Sequence, residues 1–249
     1  MIMYIKTGIQ LYTCRNEFFA DKRATFERLA KMGYDGVEFF MGFDMPAKEL
    51  KGLLDDYGLQ PCGWHTGLHL LENELIYSTM EYHAAIGNRY IGVTLPRDFM
   101  DTAEKCAQLN DRLAKIEQTL SQNGFVFEYH NHWWEFEPIE TGELPYDLIF
   151  SANPKLCTQL DVGNALNGKA QAIDYLRKYS DRSPCMHMKP YSTADGFNCD
   201  IGKDDVDWKA IVDHCYAHGT KWFIFEHEQA DIAMQRAESC LAGLKAFMK

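Results

Sequence analysis

One phrase recurs along the chain: an amphipathic stretch, a glycine, then a short apolar run. It reads RLAKMGYDGVEFF at 28–40, LLDDYGLQPCGWH at 53–65, AAIGNRYIGVTL at 84–95, LSQNGFVFEYH at 120–130 and HCYAHGTKWFIFE at 214–226. Glycine is the usual residue for the left-handed conformation that ends a helix. Each run after it has the length of a strand and is rich in Val, Ile, Phe, Tyr and Trp. The stretches before the glycines have helical spacing. Phe99, Ala103, Cys106, Leu109, Leu113, Ile116 and Leu120 step by three and four, and Met234, Ala237, Leu241, Leu244 and Met248 do the same at the end of the chain. Such stripes pack on a sheet and turn polar residues outward.

Three further apolar runs lack the complete phrase: IKTGIQLY near the start, LCTQLD at 156–161 and CMHMKP at 185–190. The strands expected are therefore eight, near 5–12, 35–41, 59–65, 89–95, 124–130, 156–161, 184–189 and 221–226. Their spacing is about that of one strand-plus-helix unit. Eight such units in 249 residues predict a closed (β/α)8 barrel forming a single domain, residues 1–249. An open doubly wound sheet usually carries a glycine-rich phosphate turn after its first strand; here that turn reads QLYTCRNEF, without glycine.

Composition narrows the partners. Lys and Arg total 25 against 36 Asp and Glu, a formal charge of −11. A field of that sign repels phosphate backbones and anionic lipid, so nucleic acid is not an expected partner. The opening MIMYIKTG does not read as a secretory signal, and no apolar run is long enough to span a bilayer. The eight cysteines form no CxxC pair, which argues against a thiolate zinc site and fits buried thiols in a reducing, cytoplasmic setting.

Barrel active sites lie at the C-terminal ends of the strands. There the expected strands place Glu38, His65, the trio Glu128, His130 and His132, then Asp161, His187 with Lys189, and Glu226 with Glu228. Strand side chains alternate, so Glu128, His130 and His132 share one face, as do the His187/Lys189 and Glu226/Glu228 pairs. Crowding several acids at one mouth is costly unless a cation joins them. Three carboxylates with one imidazole suit Mn²⁺, with Mg²⁺, Co²⁺ or Zn²⁺ as alternatives.

These residues carry a resemblance. GYDGVEFF at 33–40, FEYHNHWWEF at 127–136, LDVGNALNG at 160–168, MHMKP at 186–190, IGKDDVDW at 201–208 and FIFEHE at 223–228 resemble the sugar phosphate isomerase/epimerase superfamily of xylose-isomerase-like TIM barrels, in its YHNH-motif subgroup. The resemblance spans essentially the whole chain. It implies one divalent ion held by Glu128, Asp161, His187 and Glu226. His130 is the alternative ligand on the fifth strand and otherwise takes part in acid/base work. It implies Glu128 and Glu226 as the catalytic pair, with His130 and His132 as relays, and a carbohydrate as the substrate.

The expected reaction is isomerisation or epimerisation of a keto-sugar or polyol, by removal of a proton α to a carbonyl through an enediolate. The alternative is a lyase or dehydratase that uses the same chemistry to expel a substituent from an inosose or 3-keto-glycoside. Glu38, His65, His132, Trp133 and Lys189 are candidate substrate contacts. All but His132 also have a plain structural reading: Glu38 paired with Lys189, His65 bonded to a loop, and Trp133 with Trp134 packed in a loop. No phosphate-cradling turn follows the seventh or eighth strand, which favours an unphosphorylated substrate. His214 and His218 read as a solvated or packed helix face, and His83 as a packed histidine. Self-association is left open, since barrels commonly associate through loops and helices.

Overall fold

The computed structural model describes residues 4–249; Met1, Ile2 and Met3, part of the expected domain and of the opening MIMYIKTG, lie outside the described residues. Eight strands form one parallel sheet: β1 Lys6–Gln10, β2 Gly36–Phe40, β3 Gln60–His65, β4 Tyr90–Val93, β5 Val126–His130, β6 Cys157–Gln159, β7 Cys185–Met188 and β8 Trp222–Phe225. Each falls inside a run expected to be a strand, trimmed at its ends. Their hydrogen-bonded order is β6-β5-β4-β3-β2-β1-β8-β7. The ring closes between β6 and β7 through a parallel bridge of Asp161 with His187, where the His187 amide donates to the Leu160 carbonyl at 3.0 Å. This is the (β/α)8 barrel.

The glycines that punctuate the sequence do what the pattern requires. Gly33, Gly58, Gly87, Gly124 and Gly219 all take positive φ, from 67° to 92°, and release the chain from helix into strand. The longest helix, Ala103–Gln122, starts at Thr102, whose side chain accepts from the Lys105 amide, and buries Cys106, Leu109, Leu113, Ile116 and Leu120. Phe99 lies ahead of it in a short 3-10 turn. The closing helix Ala233–Lys245 buries Met234, Ala237, Cys240, Leu241 and Leu244. All eight cysteines are free, and only Cys157 is less than fully buried.

One irregularity bears on the site. The pairing of β2 with β3 shifts register between Val37 and Glu38, so that Glu38 faces Gly63. A side chain at position 63 would collide with the Glu38 carboxylate. The bulge and the glycine together make room for a charged group inside the barrel.

Candidate metal centre

The strand ends gather around a cavity of about 420 Å³. His65, His130, His132, Lys189 and Glu226 line it on the polar side, and Tyr12, Phe40 and Met41 give it an apolar wall. His130, Asp161, His187 and Glu226 each offer one ligand atom within 4.8 Å of the others. All four are buried, Asp161 and His187 completely. His130 ends β5 and His187 lies within β7, while Asp161 and Glu226 lie just past the ends of β6 and β8.

The electrostatics suit a cation. His187 bridges two carboxylates, with Nδ1 2.6 Å from Glu226 Oε2 and Nε2 2.6 Å from Glu38 Oε2. Burial disfavours its charge, but Glu38 and Glu226 outweigh that and raise its pKa to about 10. Burial opposes ionisation of Glu226 as well, yet Lys189 and His187 hold its carboxyl well below the usual range. Burial pushes Asp161 up to about 7, and Glu226 adds to the rise. His130 is kept neutral by burial, reinforced by His187 and His65. Asp161 Oδ1 accepts from the Asn164 amide at 2.6 Å and so caps the helix Val162–Asn167. Its Oδ2 is buried without a hydrogen bond, as is the Nδ1 of His130. An orphaned carboxylate oxygen of this kind demands an explanation, and an ion bound at Asp161 supplies one. Two imidazoles and two carboxylates are a donor set that fits a divalent transition ion.

Glu128 lies outside this group. It is fully buried, with Oε1 accepting from the Cys185 amide at 3.2 Å and Oε2 without a partner. Burial, then the charge of Glu38, raises its pKa to about 8. It is a neutral acid among Cys62, Cys157 and Cys185, one layer below His130. The structure thus does not bring Glu128 to the cavity with Asp161, His187 and Glu226; His130, the alternative on the fifth strand, stands with them instead.

The other expected residues divide. His65, His132 and Lys189 line the cavity, whereas Glu38 and Trp133 do not. Lys189 pairs with Glu228 at 2.7 Å and Glu226 at 3.4 Å, so the alternative Lys189–Glu38 pairing is not formed. His132 lies 3.2 Å from Thr94 Oγ1 and stacks on Trp134 at 4.0 Å. Its backbone amide donates to buried Glu135, which also accepts from Tyr129. Trp133 packs against the edge of Trp134 instead of walling the cavity. The sequence reading passed over Gln10, Gln159, Tyr12, Phe40 and Met41. A period of two would have found Gln159, a polar residue two positions before Asp161 and so on its face. His83 is buried against Asn88 and Thr66.

The profile of the xylose isomerase-like TIM barrel family matches residues 26–248. The chain belongs to that family. Among solved structures, this xylose isomerase-like barrel is similar to a sugar phosphate isomerase/epimerase from Parabacteroides distasonis ATCC 8503, at 21% identity and TM-score 0.83, covering 98% of this chain and 100% of that one. It is also similar to a D-psicose 3-epimerase from Clostridium cellulolyticum H10, at 13% identity and TM-score 0.72, over 98% and 100% of the two chains. An L-ribulose 3-epimerase matches at 15% and 0.72, over 98% and 96%. No curated protein matches the chain by sequence. Among the described residues, no helix is long and apolar enough to cross a membrane.

Proposed function

We propose that this barrel is a divalent-metal-dependent sugar isomerase or epimerase that acts by moving a proton α to a carbonyl. The observation that carries the reading is the buried group His130, Asp161, His187 and Glu226, with the orphaned carboxylate oxygen of Asp161, under a cavity that a small polyol can enter. His130, Asp161, His187 and Glu226 would hold the ion, with Mn²⁺, Co²⁺ or Zn²⁺ preferred over Mg²⁺ by the two imidazoles. When bound, the ion supplies Lewis acidity, polarising a carbonyl and stabilising negative charge on adjacent oxygens.

The protein's own groups do the rest. Glu226 lines the cavity and is ionised, so it is placed to take the carbon-bound proton. His132, kept neutral by burial with its pKa lowered to about 4, lines the same cavity and relays the proton on its return. Lys189 stays cationic beside Glu226 and Glu228, and its ammonium steadies a substrate oxygen. Among the described cavity-lining residues Lys189 is the one cation, and it is already paired, which supports an unphosphorylated substrate.

In D₂O, a recovered keto-sugar or its product should gain deuterium. Exchange should stop with a chelator, return with Mn²⁺, and be lost in Glu226→Gln. Full retention of the substrate hydrogen during isomerisation would mean hydride transfer and would sink the proton-transfer reading.

The apolar wall of Tyr12, Phe40 and Met41 favours a second reading, in which the same proton abstraction expels a substituent that rests there. Loss of water or aglycone, as against an isomer of equal mass, distinguishes this lyase from the isomerase.

A further inference from the structure

We infer that Glu38, buried out of reach of the cavity, is a positioning residue that fixes where the proton sits on two other rings, so that His187 and His65 both turn Nδ1 to the site. For His187 this rests on the metal reading above; for His65 it does not.

The argument is one of donors and acceptors. An ionised carboxylate only accepts. Glu38 Oε2 faces Gln10 Nε2 at 2.7 Å and His187 Nε2 at 2.6 Å, and Oε1 faces Gln159 Nε2 at 2.6 Å. All three partners must therefore donate, and His187 keeps its proton on Nε2. Nδ1, which donates to Glu226 Oε2 at 2.6 Å while no ion is bound, is then the nitrogen whose proton an ion would displace, in the carboxylate–imidazole–metal arrangement that fixes a metal-binding ring. Gln159 spends its amide hydrogens on Glu38, so its Oε1 is the atom 2.6 Å from His65 Nε2. That ring nitrogen must then carry the hydrogen. Nδ1 of His65 has no partner among the described residues, and the ring lines the cavity. It is a bare acceptor, suited to a hydroxyl donor of a polyol or sugar. Gln10 obeys the same logic: its amide donates to Glu38, and its Oε1 accepts from the Tyr12 amide at 3.1 Å. The room for the carboxylate is built in, since position 63 has no side chain to obstruct it.

Glu38→Gln is the sharp test, because an amide brings a donor where three donors already point. With its NH₂ toward Gln159, that side chain must turn and make His65 accept at Nε2. With its NH₂ toward His187, that ring must give up its Nε2 proton and hold the one on Nδ1, and so lose its ligand atom. The expected result is therefore a switch of His65 to the Nδ1–H tautomer, read by ¹⁵N NMR of histidine-labelled protein, or a fall of about 10- to 100-fold in Mn²⁺ or Zn²⁺ affinity. A merely structural glutamate would change neither. Both rings keeping Nε2–H, with ion affinity unchanged, overturns the proposal.

Gln159→Met provides a second test should Glu38→Gln fold poorly. It should release the His65 tautomer while leaving ion affinity at the wild-type value, and a His65 tautomer unmoved there overturns the relay. Wild-type protein that binds no divalent ion removes the metal reading and the His187 half with it. The His65 tautomer then decides the remainder.

Discussion

Glu128 and His130 project from the same face of β5, separated by two positions. Two residues of strand amount to roughly 6–7 Å along the barrel, and that step takes a side chain from the cavity down to the layer of Cys62 and Cys185. His130→Gln should therefore lose ion affinity, whereas Glu128→Gln should keep it, as read by calorimetric titration with Mn²⁺. The reverse pattern would return the ligand role to Glu128. Asp161→Ala should abolish bound metal, measured by elemental analysis, while the circular dichroism spectrum stays that of the wild type. Alternation made the shared face legible in the sequence. Depth was not legible, because it follows from the stagger of neighbouring strands, which no single strand encodes. For the same reason Glu38 read as a substrate contact: its strand end was correctly located, but its burial under His187 depends on the register with β3.

At the level of elements, the strand-and-glycine phrase carried almost everything. Each of its five helix-ending glycines has the positive φ it signals, and every expected strand is present. The bulge at Val37/Glu38 left no such mark, since Gly63 inside β3 reads merely as a weak strand residue. The structure gives that glycine a purpose. Gly63→Ala should destabilise the fold by about 1–3 kcal/mol through overpacking against the Glu38 carboxylate, seen as a lower urea midpoint with an unchanged slope. An unshifted midpoint would mean that Glu38 moves aside freely. The segment after β5 is held in another way. Glu135→Ala would leave the His132 amide and the Tyr129 hydroxyl short of an acceptor, at a cost of about 1–3 kcal/mol, measurable in the same denaturation.

For the molecule as a whole, pH is the revealing variable. His83 is fully buried, its Nδ1 facing the Asn88 amide at 3.0 Å, and burial lowers its pKa from 6.5 to about 3. The unfolded chain takes up that proton below about 6.5, and the folded chain only near 3. The stability it contributes is thus complete above the upper value and drains as pH falls, by up to about 1.4 kcal/mol per unit. Between about pH 7 and pH 5, the melting temperature should fall less in His83→Gln than in the wild type. Equal falls would assign the acid sensitivity to other groups. The net charge of −11 acts at the same scale: no salt-sensitive binding to duplex DNA is expected in an electrophoretic assay.

The barrel has a thin seam. Six of its strand pairings run over three or more residues and β3 meets β4 at His65 and Gly92, but β6 and β7 meet outside the strands proper, through the isolated bridge of Asp161 with His187. His130 and Asp161 stand on one side of that line, and His187 and Glu226 on the other. An ion shared by the four would act as a clasp, fastening the two lips of the cylinder where the backbone alone does so least. Its free energy of binding would then appear as mechanical closure: about 2.7 kcal/mol of added stability at an ion concentration 100 times the dissociation constant. It should be concentrated in slowed hydrogen exchange at the His187 and Thr158 amides, which hold the seam by donating to Leu160 and Arg182.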